Sequence, residues 1–223
     1  PLGIPAVRDR IVQQAVRETI EHPLERIFKD ASYGFRPRRN AYQAIAKIRQ
    51  HIGEGYEYIV DADIRDFFGT LNQQILMSKV CDAIPDRNIT RLIWQFLRTG
   101  VLEEGRIKKT TTGTPQGGVI SPLLANLYLT EFDECMENAG LKLVRYADDF
   151  VILCKTANQA TYAIKTAREK LGKLKLTVAE EKTRIAHVSD GFTFLGHTFW
   201  KYKGTLYTFP SDKAVCSFKD KVR

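Results

Sequence analysis

The segment LVRYADDFVIL, residues 143–153, decides the fold of this chain. Two apolar runs, Leu143-Val144 and Phe150 to Leu153, flank Tyr146-Ala147-Asp148-Asp149. Apolar runs on both sides of a short polar segment are typical of a β-hairpin, so we expect a hairpin that carries two acids at its turn. An isolated Asp-Asp pair is usually no more than a polar turn, and by itself it would carry little weight.

A third carboxylate lies far upstream. Tyr58-Ile59-Val60 predicts a short strand that ends in Asp61 and Asp63. Strands are depleted in Asp, yet this strand and the hairpin each deliver Asp directly beside apolar residues. If both lie at one edge of one sheet, Asp63, Asp148 and Asp149 meet. Such a cluster repels itself unless cations neutralise it, and Mg²⁺ favours carboxylate oxygens together with substrate phosphates.

The remaining patterns predict a mixed fold. Apolar residues at intervals of three and four predict helices over about 4–20, 41–52 and 89–97, the first with one buried face. Ser121-Pro122 caps a helix of roughly 122–139, and another over about 157–171 is stopped by Gly172. A second hairpin turns at Lys203-Gly204. We expect an α+β fold in which helices pack on one face of a largely antiparallel sheet.

Composition limits the classes of protein. Hydrophobic residues make up 43% of the 223 residues, which is typical of a globular chain, and no apolar stretch approaches the ~20 residues of a membrane-spanning helix. The net charge of +8 favours a polyanionic partner, first of all nucleic acid. The four cysteines are not in C-x-x-C spacing, and no basic region leads into an apolar signal segment. We therefore expect an intracellular protein, and both ends read as cut from a longer chain.

A glycine-rich segment precedes the capped helix. It reads Gly113-Thr114-Pro115-Gln116-Gly117-Gly118, in which glycines permit close approach to a substrate and Gln116 can hydrogen-bond a base, ribose or phosphate. No Gly-Lys-Ser/Thr follows, so it is not a Walker loop. A glycine-rich turn before a helix is more often structural than functional.

Five ordered motifs together resemble the palm of the group II intron-encoded reverse transcriptases, also called maturases. They are Asp63 to Phe68, Thr114 to Pro122, Tyr146 to Asp149, Glu181 to Thr183 and Phe194 to Gly196. Segments 2–15 and 32–37 are similar to the fingers helices of that family. The resemblance implies a right-hand polymerase fold: fingers helices over 1–57 without their N-terminal part, a palm over 58–216 with a fingers insertion around 70–112, and the start of a thumb at 217–223.

The resemblance implies an RNA-directed DNA polymerase that adds dNTPs to a primer 3′-OH. It implies two Mg²⁺ ions, with Mn²⁺ as a substitute, and an RNA template, a DNA primer and the intron RNA as partners, in a bacterial cytoplasmic ribonucleoprotein. It leaves the oligomeric state open. An RNA-binding splicing cofactor or a domesticated reverse transcriptase is the alternative, and retron, CRISPR-associated and diversity-generating reverse transcriptases are other relatives.

The resemblance also implies roles for individual residues. Asp63, Asp148 and the carbonyl of Ile64 would bind metal, and Asp149 would complete the acidic cluster. Phe68 would be the steric gate that excludes a ribonucleotide 2′-OH. The nucleotide and primer-end pocket would be lined by Gln116, Gly117 and Ala147. The primer grip would be formed by Phe194, Leu195 and Gly196.

Basic residues complete the candidate site. Lys182 lies where such polymerases place a proton donor to pyrophosphate, although a solvated surface lysine fits equally well. Two clusters are candidates for phosphate contacts with template or intron RNA, and a solvated loop is the alternative for each: Arg36, Arg38 and Arg39, and Arg106, Lys108 and Lys109.

Overall fold

The computed structural model describes residues 5–222 except 100, 104–105, 109–111 and 115–116. Helices and strands are mixed along the described chain. The helices are α1 Val7–Glu25, α2 Ala41–Gly53, α3 Phe67–Thr70, α4 Gln73–Ala83, α5 Arg87–Arg98, α6 Ser121–Asn138, α7 Ala157–Lys173 and α8 Asp212–Val222. The strands are β1 Tyr58–Asp63, β2 Val101–Glu103, β3 Arg106–Lys108, β4 Lys142–Tyr146, β5 Asp149–Cys154, β6 Arg184–His187, β7 Phe192–Phe194, β8 His197–Tyr202 and β9 Thr205–Pro210. No described helix has the length and apolarity needed to cross a membrane.

The central sheet is antiparallel, in the order β4-β5-β1-β6. It contains the predicted hairpin, because β4 and β5 pair directly and leave Ala147 and Asp148 as a two-residue turn. The fold class predicted from the sequence is therefore confirmed. A separate three-stranded sheet runs β7-β8-β9, and β2 pairs with β3.

Both faces of the central sheet are covered. Val60 and Ile152 point into a core shared with α6 and α7, while Ile59 and Val151 point into a second core shared with α2 and the β7-β8-β9 sheet. The expectation of helices on one face is thus incomplete. The signal was present in the sequence, since the unbroken apolar run Phe150 to Cys154 is fully buried and is typical of a strand covered on both sides.

Helix α1 is buried over only part of its length. Val16 and Ile20 lie in the core, whereas Ile11 is 65% exposed and Val7 is 63% exposed. The predicted single buried face therefore holds only from Gln13 onward, where Val16, Ile20 and Leu24 are buried. The polar side chain of Gln13 is buried there, and its Oε1 accepts a hydrogen bond from the Val119 backbone N–H at 2.9 Å.

Some bounds differ from those expected, and α1 ends at Glu25 rather than near residue 20. Helix α7 continues through Gly172 to Lys173, because glycine is tolerated in a helix at a modest cost of about 1 kcal/mol. Helix α8 begins at Asp212, ahead of the expected thumb start at 217, and none of its described side chains is buried. The expected fingers insertion around 70–112 contains α4, α5 and the β2-β3 pair.

Candidate active site

The register of the central sheet brings the predicted carboxylates to one edge. Asp63, the last residue of β1, is the direct cross-strand partner of Asp149, the first residue of β5. Asp148 precedes it in the turn, where Ala147 has a positive φ of 59°. A positive φ at the first turn residue is the pattern of a type II′ hairpin turn, whose twist matches that of the flanking strands. The turn therefore places both acids next to the end of β1.

Burial and neighbouring charges raise the proton affinity of Asp148 and Asp149. Burial, reinforced by the charges of Asp148 and Asp63, raises the pKa of Asp149 to about 6. Burial also raises the pKa of Asp148, to which the charge of Asp63 contributes. Half-buried carboxylates that resist ionisation together are stabilised in the charged form by a cation placed among them.

Lys182 supplies a cation at this edge. Its Nζ lies 2.5 Å from Oδ2 of Asp63, and this hydrogen bond raises the pKa of the ammonium group above its ordinary value. Lys182 ends a 3₁₀ turn, Glu180–Lys182, that directly precedes β6. Its side chain is 64% exposed, so it can leave Asp63 without disturbing the core.

The donor set fits Mg²⁺. In the described part of the chain, no three His, Cys, Asp or Glu side chains converge closely enough to form a metal site as they stand. The chemistry of the donors nevertheless suits a hard cation, because Asp63, Asp148 and Asp149 offer carboxylate oxygens, and Lys182 already places positive charge against Asp63.

The direction of the Ile64 backbone carbonyl follows from the hydrogen bonds on either side of it. Two backbone hydrogen bonds of 2.9 Å flank an antiparallel bridge between Ile64 and Val178. The residue at the centre of such a bridge directs its own N–H and C=O away from the partner strand. The Ile64 carbonyl is thus turned to the side of β1 on which β5 and Asp149 lie.

An open cavity of about 260 Å³ lies between the strand ends that carry Asp63 and Asp149 and the predicted primer grip. Phe194 and Leu195 line it beside Asp63 and Asp149. Leu195 and Gly196 form the two-residue turn between β7 and β8, with φ values of 48° and 73°. Positive φ at both turn residues is typical of a type I′ hairpin turn, which explains the glycine at the second position.

The glycine-rich segment is fastened next to Phe68. The Thr114 backbone N–H donates to the Phe68 carbonyl at 2.8 Å, and a Cβ on Gly113 would stand 2.5 Å from the same oxygen. The Phe68 ring is partly buried and packs edge-on against Phe67. Gly117 is exposed, with φ of 105°. The role expected of Gln116 falls outside the described residues.

The first basic cluster divides into a buried and an exposed part. The Arg36 side chain is only 3% exposed and binds the Glu25 carboxylate as well as the carbonyls of Lys29 and Ser32. The prediction of a phosphate contact for Arg36 is therefore corrected, because its donors are used to hold the α1–α2 loop. Arg38 is exposed, and Arg39 is partly exposed.

Arg39 is nevertheless held at the surface: it pairs with Asp30 at 2.5 Å and lies over the Tyr33 ring. In the second basic cluster, only the backbone of Arg106–Lys108 is described, and Lys109 lies outside the described residues.

Sequence reasoning missed two residues of this region. Arg145 and Asp133 form an ion pair with both side chains 1% exposed, directly beneath the Asp148-Asp149 turn. A signal was available, because Asp133 lies among buried Leu129, Phe132 and Met136 on α6, and Arg145 lies within an apolar strand. When each of two elements carries a charged residue among buried apolar residues, the two charges are expected to form an ion pair.

Comparison with known proteins agrees with this geometry. Residues 1–199 match the family described as reverse transcriptase (RNA-dependent DNA polymerase). Protein YkfC of Escherichia coli strain K12 is 33% identical in an alignment that covers 96% of this chain and 68% of that protein. The group II intron-encoded protein LtrA of Lactococcus lactis subsp. cremoris is 32% identical over 88% of this chain. The chain spans 44% of the length of LtrA.

Solved structures share the fold. The telomerase of Candida tropicalis in complex with a TWJ fragment of telomeric RNA superposes with a TM-score of 0.68 over 93% of this chain and 40% of that one, at 15% identity. The apo form truncated from its C-terminal domain gives a TM-score of 0.65 at 16% identity and covers 88% of this chain and 45% of that one. Identities this low establish the fold alone. The family match and the curated relatives go further: the chain belongs to the reverse transcriptase family, and its relatives include group II intron-encoded proteins.

Proposed function

We propose that this chain is the fingers and palm of an RNA-directed DNA polymerase that adds dNTPs to a primer 3′-OH on an RNA template. The observation that carries the proposal is the pairing of Asp63 with Asp149 across β1 and β5, with Asp148 in the adjoining turn. Two Mg²⁺ ions bound by these carboxylates and the Ile64 carbonyl would stabilise the attacking and leaving oxygens of an in-line displacement.

The chain's own side chains position the reactants. The Leu195-Gly196 turn, whose Leu195 lines the cavity beside the carboxylates, would support the primer end. Ala147 and Gly117, which do not line this cavity, would lie on the nucleotide side of the site. Phe68 would close the space below the sugar and exclude a 2′-OH. This role suits a ring that packs against Phe67 and the core on one side.

Lys182 would return a proton to the products. Because its pKa is raised, the ammonium group is charged at neutral pH and can give its proton to the leaving pyrophosphate oxygen. The exposed side chain allows exchange between Asp63 and a triphosphate. The lysine would then regain a proton from solvent.

The test is primer extension on an RNA template with dNTPs and Mg²⁺, using the complete protein that contains this chain. Asp148→Asn should abolish extension and leave the folded state intact, as judged by circular dichroism. The matched control is Asp82→Asn, which makes the same change at an exposed position on α4 and should extend as the wild type does. Unchanged extension by Asp148→Asn would refute the proposal.

A second candidate function is binding of intron RNA to support splicing, in an intracellular ribonucleoprotein. The net charge of +8, with Arg38 and Arg39 at the surface of the α1–α2 loop, favours it, and the relative LtrA is itself named an intron-encoded protein. Arg38→Glu with Arg39→Glu should weaken RNA binding and reduce its salt dependence. Arg36 is left intact because its side chain is buried and replacing it would destabilise the fold. Unchanged RNA affinity and salt dependence in this double variant would refute an RNA-binding role for this loop.

A further inference from the structure

The guanidinium group of Arg145 lies beneath the turn that carries Asp148 and Asp149. Its Nε and Nη2 bind the two carboxylate oxygens of Asp133 at 2.7 and 2.5 Å. Both side chains are 1% exposed, so the pair is enclosed between β4 and α6. Burial of two charges is costly, and an apolar pair of similar volume is often as stable. Stability alone therefore does not explain this arrangement.

The third nitrogen of Arg145 reaches the turn itself. Its Nη1 donates to the carbonyl of Ala147 at 2.7 Å and to Oδ1 of Asn126 at 3.1 Å. The Ala147 carbonyl belongs to the peptide that leads into Asp148, and Ala147 is the residue with the left-handed backbone. The bidentate interaction with Asp133 fixes the orientation of the guanidinium group. The hydrogen bond from Nη1 to the Ala147 carbonyl in turn fixes the orientation of this peptide.

The α1–α2 loop is hydrogen-bonded to the same network. The Asn126 Nδ2 donates to the Gly34 carbonyl at 2.8 Å, while the Arg145 backbone exchanges hydrogen bonds of 2.8 Å with Ala31 and Tyr33. Arg36 then fixes the carbonyls on the other side of this loop. The turn is thereby held from α6 and from the α1–α2 loop at once.

We propose that Arg145, held by Asp133, is a positioning residue that fixes the Asp148-Asp149 turn in its catalytic geometry. Through Asn126 it also couples this turn to the α1–α2 loop. The proposal rests on the proposed polymerase function for its kinetic consequence. Its structural consequence, a rigid turn, does not depend on activity.

The test replaces the buried pair by apolar residues in the complete protein. Arg145→Met with Asp133→Leu removes both charges together and leaves none unpaired. We expect a folded variant whose kcat for dNTP addition falls by about 10- to 100-fold while KM changes little, because the reacting groups are misplaced and the nucleotide pocket is intact. The control, Lys165→Met with Glu169→Leu, removes an exposed ion pair on α7 and should leave kcat unchanged.

A second readout is hydrogen exchange at residues 146–149. Exchange there should accelerate in the buried-pair variant, with protection retained at the centre of β1 and β5. If that variant does not fold, Asn126→Leu keeps the ion pair and should give the same local acceleration with a smaller fall in kcat. Unchanged exchange in the turn together with kcat within twofold of wild type would overturn the proposal. A wild type that does not extend primers would refute the polymerase function instead, and the exchange data would still decide the positioning role.

Discussion

Gly34→Ala tests whether the α1–α2 loop packs tightly against the Asp148-Asp149 turn. A Cβ on Gly34 would stand 2.5 Å from the Ala147 backbone nitrogen and 3.0 Å from the Tyr146 carbonyl carbon. These are backbone atoms of the turn, so no side-chain rotation can relieve the overlap. The loop and the turn must separate by about 0.9 Å to reach ordinary van der Waals contact.

Two effects should follow, one on stability and one on the rate. Overpacking of this kind costs about 1–3 kcal/mol of unfolding free energy, partly because the Asn126 bond to the Gly34 carbonyl is strained. A displacement near 1 Å of catalytic groups can lower the rate by about 100-fold. We therefore expect a protein that still folds at 25 °C but whose single-turnover primer extension is slowed by about 100-fold.

The control uses the same substitution elsewhere. Gly172 lies within α7 with no neighbouring atom within 4 Å of an added Cβ, so Gly172→Ala should stabilise the protein by about 0.5–1 kcal/mol and leave extension unchanged. Urea unfolding gives the stability and rapid-quench kinetics give the rate. A Gly34→Ala protein with wild-type rate and stability would show that the contact is not formed, and the reasoning would fail.

Three further predictions concern the same protein. Because burial and neighbouring charges raise the pKa of Asp149 to about 6, its folded state binds an extra proton, so without divalent metal the unfolding free energy should rise as pH falls from 7 to 4. Asp149→Asn should flatten this pH dependence of the unfolding free energy in urea titrations. An unchanged slope against pH would contradict the prediction. Hydrogen bonds from Lys170 and Lys79 lower the pKa of Glu131 to about 2, so its contribution is present above pH 4.5 and is lost as pH falls toward 2. Glu131→Gln should therefore cost about 1 kcal/mol at pH 7, after allowance for solvent screening, and nothing near pH 2; equal losses at both would argue against the ion pairs. Phe68→Ala should raise kcat/KM for ribonucleotides relative to dNTPs by about 10-fold or more in extension assays, whereas an unchanged ratio would exclude it as the gate.

Much of the candidate site was predictable from local sequence. The apolar runs around Asp148-Asp149 indicate strands, and the short polar segment between them indicates a turn, so the hairpin needs no distant information. The same holds for the strand that ends at Asp63 and for the Lys203-Gly204 turn. Hydrophobic period and turn chemistry are properties of neighbours in the chain, so they can be read without knowing which distant segments meet.

Other features depend on which segments meet in space. Arg36 is basic and flanked by basic residues, which favours a phosphate contact, but Glu25 and two carbonyls meet it in the interior. Arg145 forms an ion pair with Asp133 on α6. Ile11 is exposed although it follows the helical period. By itself, then, the sequence determined the β4-β5 hairpin, the β1 strand, the Lys203-Gly204 turn and the carboxylates at the strand ends. Only the tertiary structure decided which charges are buried and bound, because the cost of burying a charge depends on partners that the fold brings from elsewhere in the chain.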